Sequence, residues 1–582
     1  MTEISGRHHA IGEFLADNVL DELDPDVSSF LLDISITERI CGDLAAELSG
    51  RDDARSKLED VVRQDLFIDR LGDDTDWYRI HHLFADFLRR RLERDNPDRS
   101  RELHLRAARW FGERMHLSEA VDNALAAGDP RMAVEIVESE GMRLLERGQP
   151  ATLMALIEKL PPAVSRARPR LQVAVAAATV LTRQSDVARS ALARVDSALA
   201  FSDLEPSEAA DLKMKADVLR GVFAIFDDEV ADVHTLVRPA LQQAADLPHW
   251  VISAGAGADQ YASIHNFDLV SALRRQSWME QYQDERRGPL GVMFAHCFAG
   301  IAAHELLEIP TAELHLEAAI SVAETIGGKQ SVPARLAGSL LGALRYEQGQ
   351  LDQAERLFEA SAALGSEFAL VEFMIATYAT GGRLKALRRE FETAASWFDI
   401  GLNAAERFRL PRLAARIRDE QIRLAVPAPM PTDGETALGE LAGTALETAE
   451  SDEASLIRRD LRLGGDPRLL RAVERARSLV ARIAEHNRPR ARLSAGLLLV
   501  SALEAAGLQE EACINLLPLL QTGSDCGLRR VFVDEGPLLL HAVSRLQTEA
   551  AQGRIRHVPE EFIRSIINEE SLLPTWPDEA CR

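Results

Sequence analysis

The spacing of apolar residues near the start of the chain predicts short amphipathic helices. In DPDVSSFLLDI, the residues Val27, Phe30, Leu31 and Ile34 recur at helical intervals and would share one face. Asp24 can accept backbone N–H bonds at the start of this helix, and the proline after it suits the first turn. CGDLAAELSG and RDDARSKLEDVVRQ show similar spacing and predict two further helices.

The pattern then changes from helical spacing to that of a hairpin. LFIDRL and WYRI are short strand-like runs on either side of GDDTD, a polar sequence that favours a turn. HHLFADFLRRRLERD follows with apolar residues at helical spacing and ends near Asn96 and Pro97. This order of helices, hairpin and helix predicts a winged-helix domain over residues 10–95.

Beyond residue 96 the pattern predicts only helices, and one signature recurs along them. A turn glycine is followed five residues later by alanine and nine residues later by a large apolar residue. Full copies occur at Gly128, Ala133 and Val137, at Gly349, Ala354 and Phe358, and at Gly507, Ala512 and Leu516, with partial copies at Ala312 and Leu316 and at Ala394 and Phe398. The partial copies lie 42 residues before and 40 residues after the middle full copy. Because a glycine ends one helix and a small alanine lets the next pack closely, this spacing predicts a tetratricopeptide-like superhelix.

These patterns predict a mainly α fold in which a winged helix precedes a helical-repeat superhelix. The Pro- and Gly-rich VPAPMPTDGETALG marks a break between two blocks of helices. The predicted segments are a polar tail over 1–9, the winged helix over 10–95, a helical connector over 96–160, the repeat domain over 161–425, a loop over 426–440, further helical repeats over 441–550 and a C-terminal tail over 551–582.

Charge and composition narrow the range of partners. The 67 basic and 92 acidic residues give a net charge of −25, which disfavours direct binding to DNA. The arginine run that starts at Arg89 is interleaved with acids and is better explained as an ion-paired helix face. Five scattered cysteines without a CxxC pair suit a reducing compartment, and we find no apolar run long enough to span a bilayer. We therefore predict a cytoplasmic protein with no membrane partner.

Catalytic and cofactor motifs are missing from this sequence. The nearest match to a phosphate loop, IGGKQS, has Ala323 where the first glycine should stand and Gln330 in place of the magnesium-binding hydroxyl. No Cys–His set has the spacing of a metal site, and no nucleophile elbow is present. We predict that the chain is not an enzyme and that it has no catalytic residue, metal ligand or resident cofactor.

The segments from AIGEFLADNVLDELDPDVSSFLLDI through DWYRIHHLFADFLRRRLERDNPD to AVDNALAAGDPRMA resemble the MalT-like large regulators of the LuxR class, which are STAND ATPases. The resemblance is specific over about residues 10–160 and returns at GLRRVFVDEGPLLLHAVSRL. It implies an upstream ATPase domain with a phosphate loop, a winged helix, a superhelical inducer-binding domain and a downstream LuxR-type helix-turn-helix.

The resemblance also implies a role for one histidine. IHHLFADFL matches the position of the MHD-type motif of related nucleotide switches, whose histidine touches the β-phosphate of bound ADP. That role would fall to His81, which stands where a helix begins and free N–H groups favour phosphate. A hydrogen bond from His81 to a local carbonyl is an equally good interpretation. We expect His82 to pack or cap, and we expect the nearby aromatic side chains to be core residues: Trp77, Tyr78, Phe84 and Phe87.

The sequence departs from the family pattern at both ends. Met1 lies just before the winged helix, and the chain reaches Arg582 without a recognisable helix-turn-helix. We therefore expect ATP or ADP to bind only if an ATPase domain is supplied, and we expect no direct DNA binding by this chain.

Two functional hypotheses follow. In the first, the chain is the sensor and coupling region of a MalT-like transcription regulator, and its superhelix binds a small-molecule inducer or a protein partner. In the second, it is a free-standing protein-interaction scaffold. A third and weaker possibility is a kinase-linked regulator, because related arrays also follow kinase domains. The ligand, the groove residues and any self-association stay open at this stage.

Overall fold

The structure is a computed structural model that describes residues 20, 23–64, 66–72, 76–146, 149–180, 184–201, 204–282, 288–366, 370–426, 428–431 and 441–569. The chain divides into two compact units. The first comprises Met1–Thr179 with Asp186–Glu205, and the second comprises Val180–Ser185 with Pro206–Arg582.

The first unit begins with the winged helix. Its elements are α1 (Pro25–Ile34), β1 (Arg39–Cys41), α2 (Gly42–Ser49), α3 (Ala54–Arg63), β2 (Ile68–Arg70), β3 (Trp77–Ile80) and α4 (His82–Asp95). The three strands form an antiparallel sheet in the order β1-β3-β2, with Arg39 opposite Arg79 and Ile68 opposite Ile80. The two predicted hairpin strands are confirmed, whereas β1 was not predicted. The hairpin turn at residues 73–75 lies outside the described residues.

Local signals in the sequence explain where these helices begin and end. The Asp24 carboxylate accepts the backbone N–H of Asp26 at 2.8 Å, and Pro25 occupies the first turn of α1, as predicted. Gly50 ends α2 in the left-handed conformation with φ 68°. Asn96 caps the helix that follows α4 by accepting the N–H of Arg99.

The core of the winged helix contains the aromatic residues expected there. Phe84 is buried, and Trp77, Tyr78 and Phe87 are half-buried against the same cluster.

The arginine run does form ion pairs: Arg99 donates to both carboxylate oxygens of Asp33, at 3.2 and 2.9 Å.

The remaining described elements are helices. In the first unit they are α5 (Pro97–Glu113), α6 (Leu117–Ala126), α7 (Pro130–Glu146), α8 (Pro150–Lys159), α9 (Pro162–Arg166), α10 (Pro169–Val180, whose last residue belongs to the second unit) and α11 (Ser185–Phe201, whose first residue does). The second unit begins its own array with α12 (Pro206–Phe226), α13 (Val233–Gln242), a 3₁₀ turn (Ala244–Asp246), α14 (His249–His265), α15 (Leu269–Met279), α16 (Pro289–Glu305), α17 (Ile309–Gly327), α18 (Val332–Glu347) and α19 (Leu351–Ala362).

The array continues through a π-helical segment to the C-terminal helices. These elements are α20 (Val371–Met374), the π-segment (Ile375–Thr380), α21 (Gly381–Leu387), α22 (Phe391–Phe408), α23 (Pro411–Arg423), α24 (Gly443–Leu463), α25 (Asp466–Ile483), α26 (Pro489–Ala505), α27 (Gln509–Cys526), α28 (Arg530–Val533), α29 (Pro537–Ala551) and α30 (Glu560–Asn568). A mainly α fold with a winged helix followed by helical repeats is therefore confirmed.

The repeat signature corresponds to a left-handed turn between paired helices. Gly128, Gly349 and Gly507 have φ of 71°, 79° and 76°. Each turn donates two backbone N–H bonds into the end of the preceding helix, as Gly349 and the next residue do to Tyr346 and Arg345. The alanines five residues on are fully buried. The same turn occurs with other residues in the left-handed conformation: Met115, Asp228, Phe267, Leu307 and Arg389.

Several predicted segments fall partly outside the described residues. The N-terminal tail, most of the Pro- and Gly-rich loop and the end of the C-terminal tail lie outside the described residues, within 1–19, 427, 432–440 and 570–582. Within the predicted tail, α30 buries Phe562, Ile563 and Ile566 in the same core as α26. The predicted domain boundaries themselves stay predictions. Among the described helices, none combines the length and the apolar character needed to cross a bilayer.

A charged cavity in the helical-repeat unit

The second unit encloses a cavity of about 270 Å³ among helices that come from residues 264–535. Its wall is unusual for a helical protein because charged side chains dominate it. Nine acids, seven arginines and two histidines line it: Glu305, Glu347, Glu372, Asp419, Glu420, Glu447, Glu450, Asp534, Glu535, Arg383, Arg412, Arg416, Arg423, Arg458, Arg488, Arg490, His265 and His304.

Helix α23 places five of these charges on one face. Its sequence PRLAARIRDEQIR spaces them at successive intervals of four, three, one and three residues, which is the spacing of a helical stripe. Leu413 and Ile417 lie beside this stripe and are fully buried. The charged stripe itself faces the cavity: Arg412, Arg416, Asp419, Glu420 and Arg423.

Helix α24 faces the same cavity with a second polar stripe. Glu447, Glu450, Ser451, Ala454 and Arg458 follow one another at helical spacing and all line the wall. Together, α23 and α24 supply eight of these eighteen side chains, and α16, α18 and α26 contribute apolar and small residues as well as charged ones.

Arg412 is the centre of a deeply buried charge cluster. Its side chain is only 4% exposed, and its Nε and Nη2 donate to the two carboxylate oxygens of Asp228 at 2.9 and 2.8 Å. Nη1 donates to Glu447 at 2.9 Å and also to Glu372, and Nη2 reaches the Tyr261 hydroxyl at 3.1 Å. One guanidinium therefore holds three carboxylates, which uses the planar, multi-donor geometry of arginine.

The ion pairs of this cluster control the protonation of its acids. Burial raises the pKa of a carboxyl group, but the positive charges of His265 and Arg412 outweigh it and lower the pKa of Glu447 to about 2. Burial also acts to raise the pKa of Glu372, but Arg412 and His265 more than offset it, and the pKa of Glu372 lies below its usual value. Burial raises the pKa of the Tyr261 hydroxyl well above the usual range. Both glutamates are therefore ionised at neutral pH.

The same cluster contains the chemistry of a metal site. Ligand atoms of His265, Glu372 and Glu447 all lie within 4.8 Å of one another. His265 Nδ1 is 3.1 Å from Glu447, and Nε2 is 3.4 Å from Glu372 and has no hydrogen bond. Because Arg412 donates to both carboxylates, the guanidinium already supplies a cation at this position. The sequence analysis found no such group, since the three residues come from α14, α20 and α24.

Further ion pairs close the cavity at other points. His304 Nε2 lies 2.8 Å from Glu347, and Arg490 pairs with Glu347 and, at 2.9 Å, with Glu305. Burial raises the pKa of Glu347, but Arg490 and His304 more than reverse this and hold it well below its usual range. The Glu347 carboxylate is therefore fixed as an anion between two donors.

A second group of pairs joins helices on either side of the Pro- and Gly-rich loop. Arg423 donates to Glu535 at 3.1 Å, and Arg458 donates to Asp419 at 2.6 Å and to Glu535 at 2.8 Å. The Tyr346 hydroxyl donates to Asp534 at 2.9 Å. Polar contacts between distant parts of the sequence therefore hold the wall together.

The histidine pair that the sequence singled out lies in the first unit. His81 precedes α4 as its capping residue, its backbone N–H donates to Phe67 O at 2.7 Å, and its carbonyl accepts the N–H groups of Phe84 and Ala85. Its imidazole makes no capping hydrogen bond. His82 is exposed and stacks on His81, with ring centroids 4.7 Å apart, instead of packing or capping. The nucleotide role of His81 stays a prediction.

The winged helix matches a known family. Residues 16–100 match the family model described as the MalT winged helix domain. The N-terminal part of the chain therefore resembles MalT-like regulators, as the sequence analysis expected.

The sequence is similar to a protein kinase and to a transcriptional regulator. Over 537 residues, 92% of this chain, the sequence is 41% identical to serine/threonine-protein kinase PknK of Mycobacterium tuberculosis. It is 30% identical over 232 residues, 40% of this chain and 26% of the relative, to the HTH-type transcriptional regulator MalT of Yersinia enterocolitica. The chain spans about half of PknK, 48% of its length.

One solved structure is also a match to this chain. It is a signal transduction ATPase with numerous domains that carries a tetratricopeptide repeat sensor, from Pyrococcus horikoshii. The match has a TM-score of 0.48 and 12% sequence identity, and it covers 89% of this chain and 67% of the other.

One prediction is corrected by these relatives. We expected the chain not to be an enzyme, but the PknK relatives are named serine/threonine-protein kinases and match nearly the whole chain. The chain spans 48% of such a kinase, so a missing phosphate loop does not exclude kinase activity.

Proposed function

We propose that the chain is the sensor and coupling region of a MalT-like regulator of the PknK type, which controls serine/threonine phosphorylation. A small ligand or partner segment would bind in the charged cavity of the second unit, and the winged helix would take part in passing the bound state to the kinase. The 41% identity to PknK over 92% of the chain is the observation that carries this proposal.

The cavity supports the sensing role. Most of its charged groups are held by ion pairs that link helices far apart in sequence, so a ligand that competes for one pair would alter contacts between several helices. Apolar wall residues such as Leu340 and Leu498 leave room for a carbon skeleton beside these charges.

The test uses the native gene product, purified from its own cells with an antibody against this chain. We expect the preparation to phosphorylate serine or threonine in casein, and we expect Ser494→Trp, introduced on the chromosome, to change that activity. Ser494 lines the cavity and has an exposed side chain, so a large residue there fills the cavity without removing a charge.

Arg492→Trp is the matched control, because Arg492 is exposed on the same helix and does not line the cavity. Native product without serine/threonine kinase activity would contradict the proposal. So would kinase activity that responds equally to both tryptophan variants.

A further inference from the structure

Arg416 is the exception among the arginines that line the cavity. The other six each pair with at least one carboxylate within 4.0 Å: Arg383, Arg412, Arg423, Arg458, Arg488 and Arg490. Among the described residues, Arg416 has no hydrogen bond or ion pair through its side chain, although it is half-buried and lines the wall. A guanidinium withdrawn from water without an anion is unfavourable, so this position has an unmet requirement for negative charge.

The acids on the wall cannot meet that requirement. Asp419, the acid whose protonation Arg416 influences, is bound instead by Arg458 at 2.6 Å. Glu420 lies one helical turn from Arg416, but its ion pairs are with Arg383 and Arg423. Since the neighbouring carboxylates already have cations, the anion for Arg416 must come from outside the protein.

The size and lining of the cavity suit a small organic ligand. Apolar residues line the wall beside the charged groups, among them Leu316 and Ile375. The volume of about 270 Å³ is close to the lower end of the range of roughly 300–1,000 Å³ for small-molecule sites.

We propose that the cavity binds a small organic anion whose phosphate or carboxylate group pairs with Arg416. This inference rests on the proposed function as a sensor and names the chemical class of its ligand. A cation would have to displace an arginine from a carboxylate, and a neutral ligand would leave the Arg416 charge uncompensated. The guanidinium fork suits both phosphate and carboxylate, which accept two parallel N–H bonds.

The test measures binding of inorganic phosphate, glucose 6-phosphate and succinate to the purified 582-residue chain by calorimetry, against sodium chloride of equal ionic strength and glucose as a neutral probe. We expect at least one anion to bind and Arg416→Gln to weaken it on the order of 10- to 100-fold, the range for a charge-assisted pair. Arg416→Lys keeps the charge without the fork and should fall between the two. Arg492→Gln, an exposed arginine outside the cavity, should bind as the parent does.

Thermal unfolding without added anion separates this role from a structural one. Because Arg416 has no partner in the protein, Arg416→Gln should unfold no earlier than the parent chain, whereas Arg412→Gln should unfold earlier.

The inference is overturned if none of the three anions binds, or if Arg416→Gln binds them as tightly as the parent. Binding of glucose alone, unaffected by Arg416→Gln, would overturn the proposed anion ligand but would still agree with a sensing function of the cavity. Anion binding through Arg416 in a native product without kinase activity would support the anion site and contradict the proposed function. Preference among the three probes distinguishes a phosphate ligand from a carboxylate.

Discussion

Replacing Arg412 with glutamine should destabilise the second unit more than a typical single substitution does. The variant leaves Asp228, Glu372 and Glu447 buried beside one another without the guanidinium that pairs with all three. Removal of one partner from a buried ion pair costs about 3–5 kcal/mol. We expect a loss in this range in the free energy of unfolding, measured by urea denaturation followed with far-ultraviolet circular dichroism.

The pH dependence of that loss provides an independent check. In the parent chain the folded-state pKa of Glu447 is about 2, below the unfolded value of about 4.3. The contribution of Glu447 to the free energy of unfolding is therefore complete above the unfolded pKa and is lost as the pH falls towards 2. Between about pH 5 and pH 8, Glu447 should therefore cause no change in the free energy of unfolding of the parent chain. Without Arg412, Glu372 loses the largest of the charges that offset its burial, so the pKa of Glu372 should rise and the variant should lose stability as the pH rises through this window.

Arg477→Gln is the control for Arg412→Gln, since Arg477 is 49% exposed and pairs with Glu511 at the surface. It should change the free energy of unfolding by no more than about 0.5 kcal/mol. A loss below about 1 kcal/mol for Arg412→Gln, or a loss that does not vary with pH, would refute the account of the cluster as a charge network that depends on one guanidinium.

Two further substitutions test the packing of the repeats by urea denaturation. Arg389→Gly should stabilise the chain by about 0.5–1 kcal/mol, because Arg389 is exposed in the left-handed conformation with φ 63°. Its control, Arg492→Gly, lies inside a helix and should cost about 1 kcal/mol. Equal effects at both positions would contradict the conformational argument. Gly300→Ala should cost about 1–3 kcal/mol, because its Cβ would lie 2.6 Å from a methyl carbon of Leu316 where α16 and α17 meet. Gly288→Ala, where the Cβ meets nothing within 4 Å, is its control, and a neutral Gly300→Ala would show that the two helices can separate without loss.

The winged helix was predictable because its signals are local. Asp24 and the proline after it determine where α1 begins, and short strand-like runs on either side of a polar turn predict two strands. Strand β1 escaped prediction because it lies between two helices and pairs with β3, nearly forty residues later in the sequence. Strand β2 is just as short, but the polar turn beside it indicates a hairpin, whereas the pairing of β1 is not a local property.

The repeat signature is complete only where glycine occupies the left-handed turn, and the turns at Leu307 and Arg389 left only the partial copies at Ala312 and Ala394. Phe267, Leu307 and Arg389 adopt the same conformation, with φ of 65°, 61° and 63°, and make the same backbone bonds. In these turns the packing of the helices on either side outweighs the preference of the residue. A sequence pattern built on glycine therefore finds fewer repeats than the fold contains.

The charged cavity was not predictable by the same reasoning. Helical spacing of apolar residues indicates a buried face, and charged residues at that spacing are normally assigned to solvent. PRLAARIRDEQIR has both kinds of stripe, and only the structure shows that the one containing Arg412 and Arg416 faces inward. Their partners lie on other helices, so no spacing within one segment identifies them.

The ion pairs around the cavity have a consequence for folding kinetics. Helix pairs in a repeat array contact mainly their neighbours in sequence, but Asp228 and Arg412 are 184 residues apart, Glu305 and Arg490 are 185 apart, and Tyr346 is 188 residues from its hydrogen-bond partner. We expect the local pairs to form early and these distant contacts to form after the rate-limiting step. Interactions that form late change the unfolding rate more than the folding rate. The charged wall should therefore determine how long the second unit stays folded, whereas the neighbouring helix pairs determine how fast it folds.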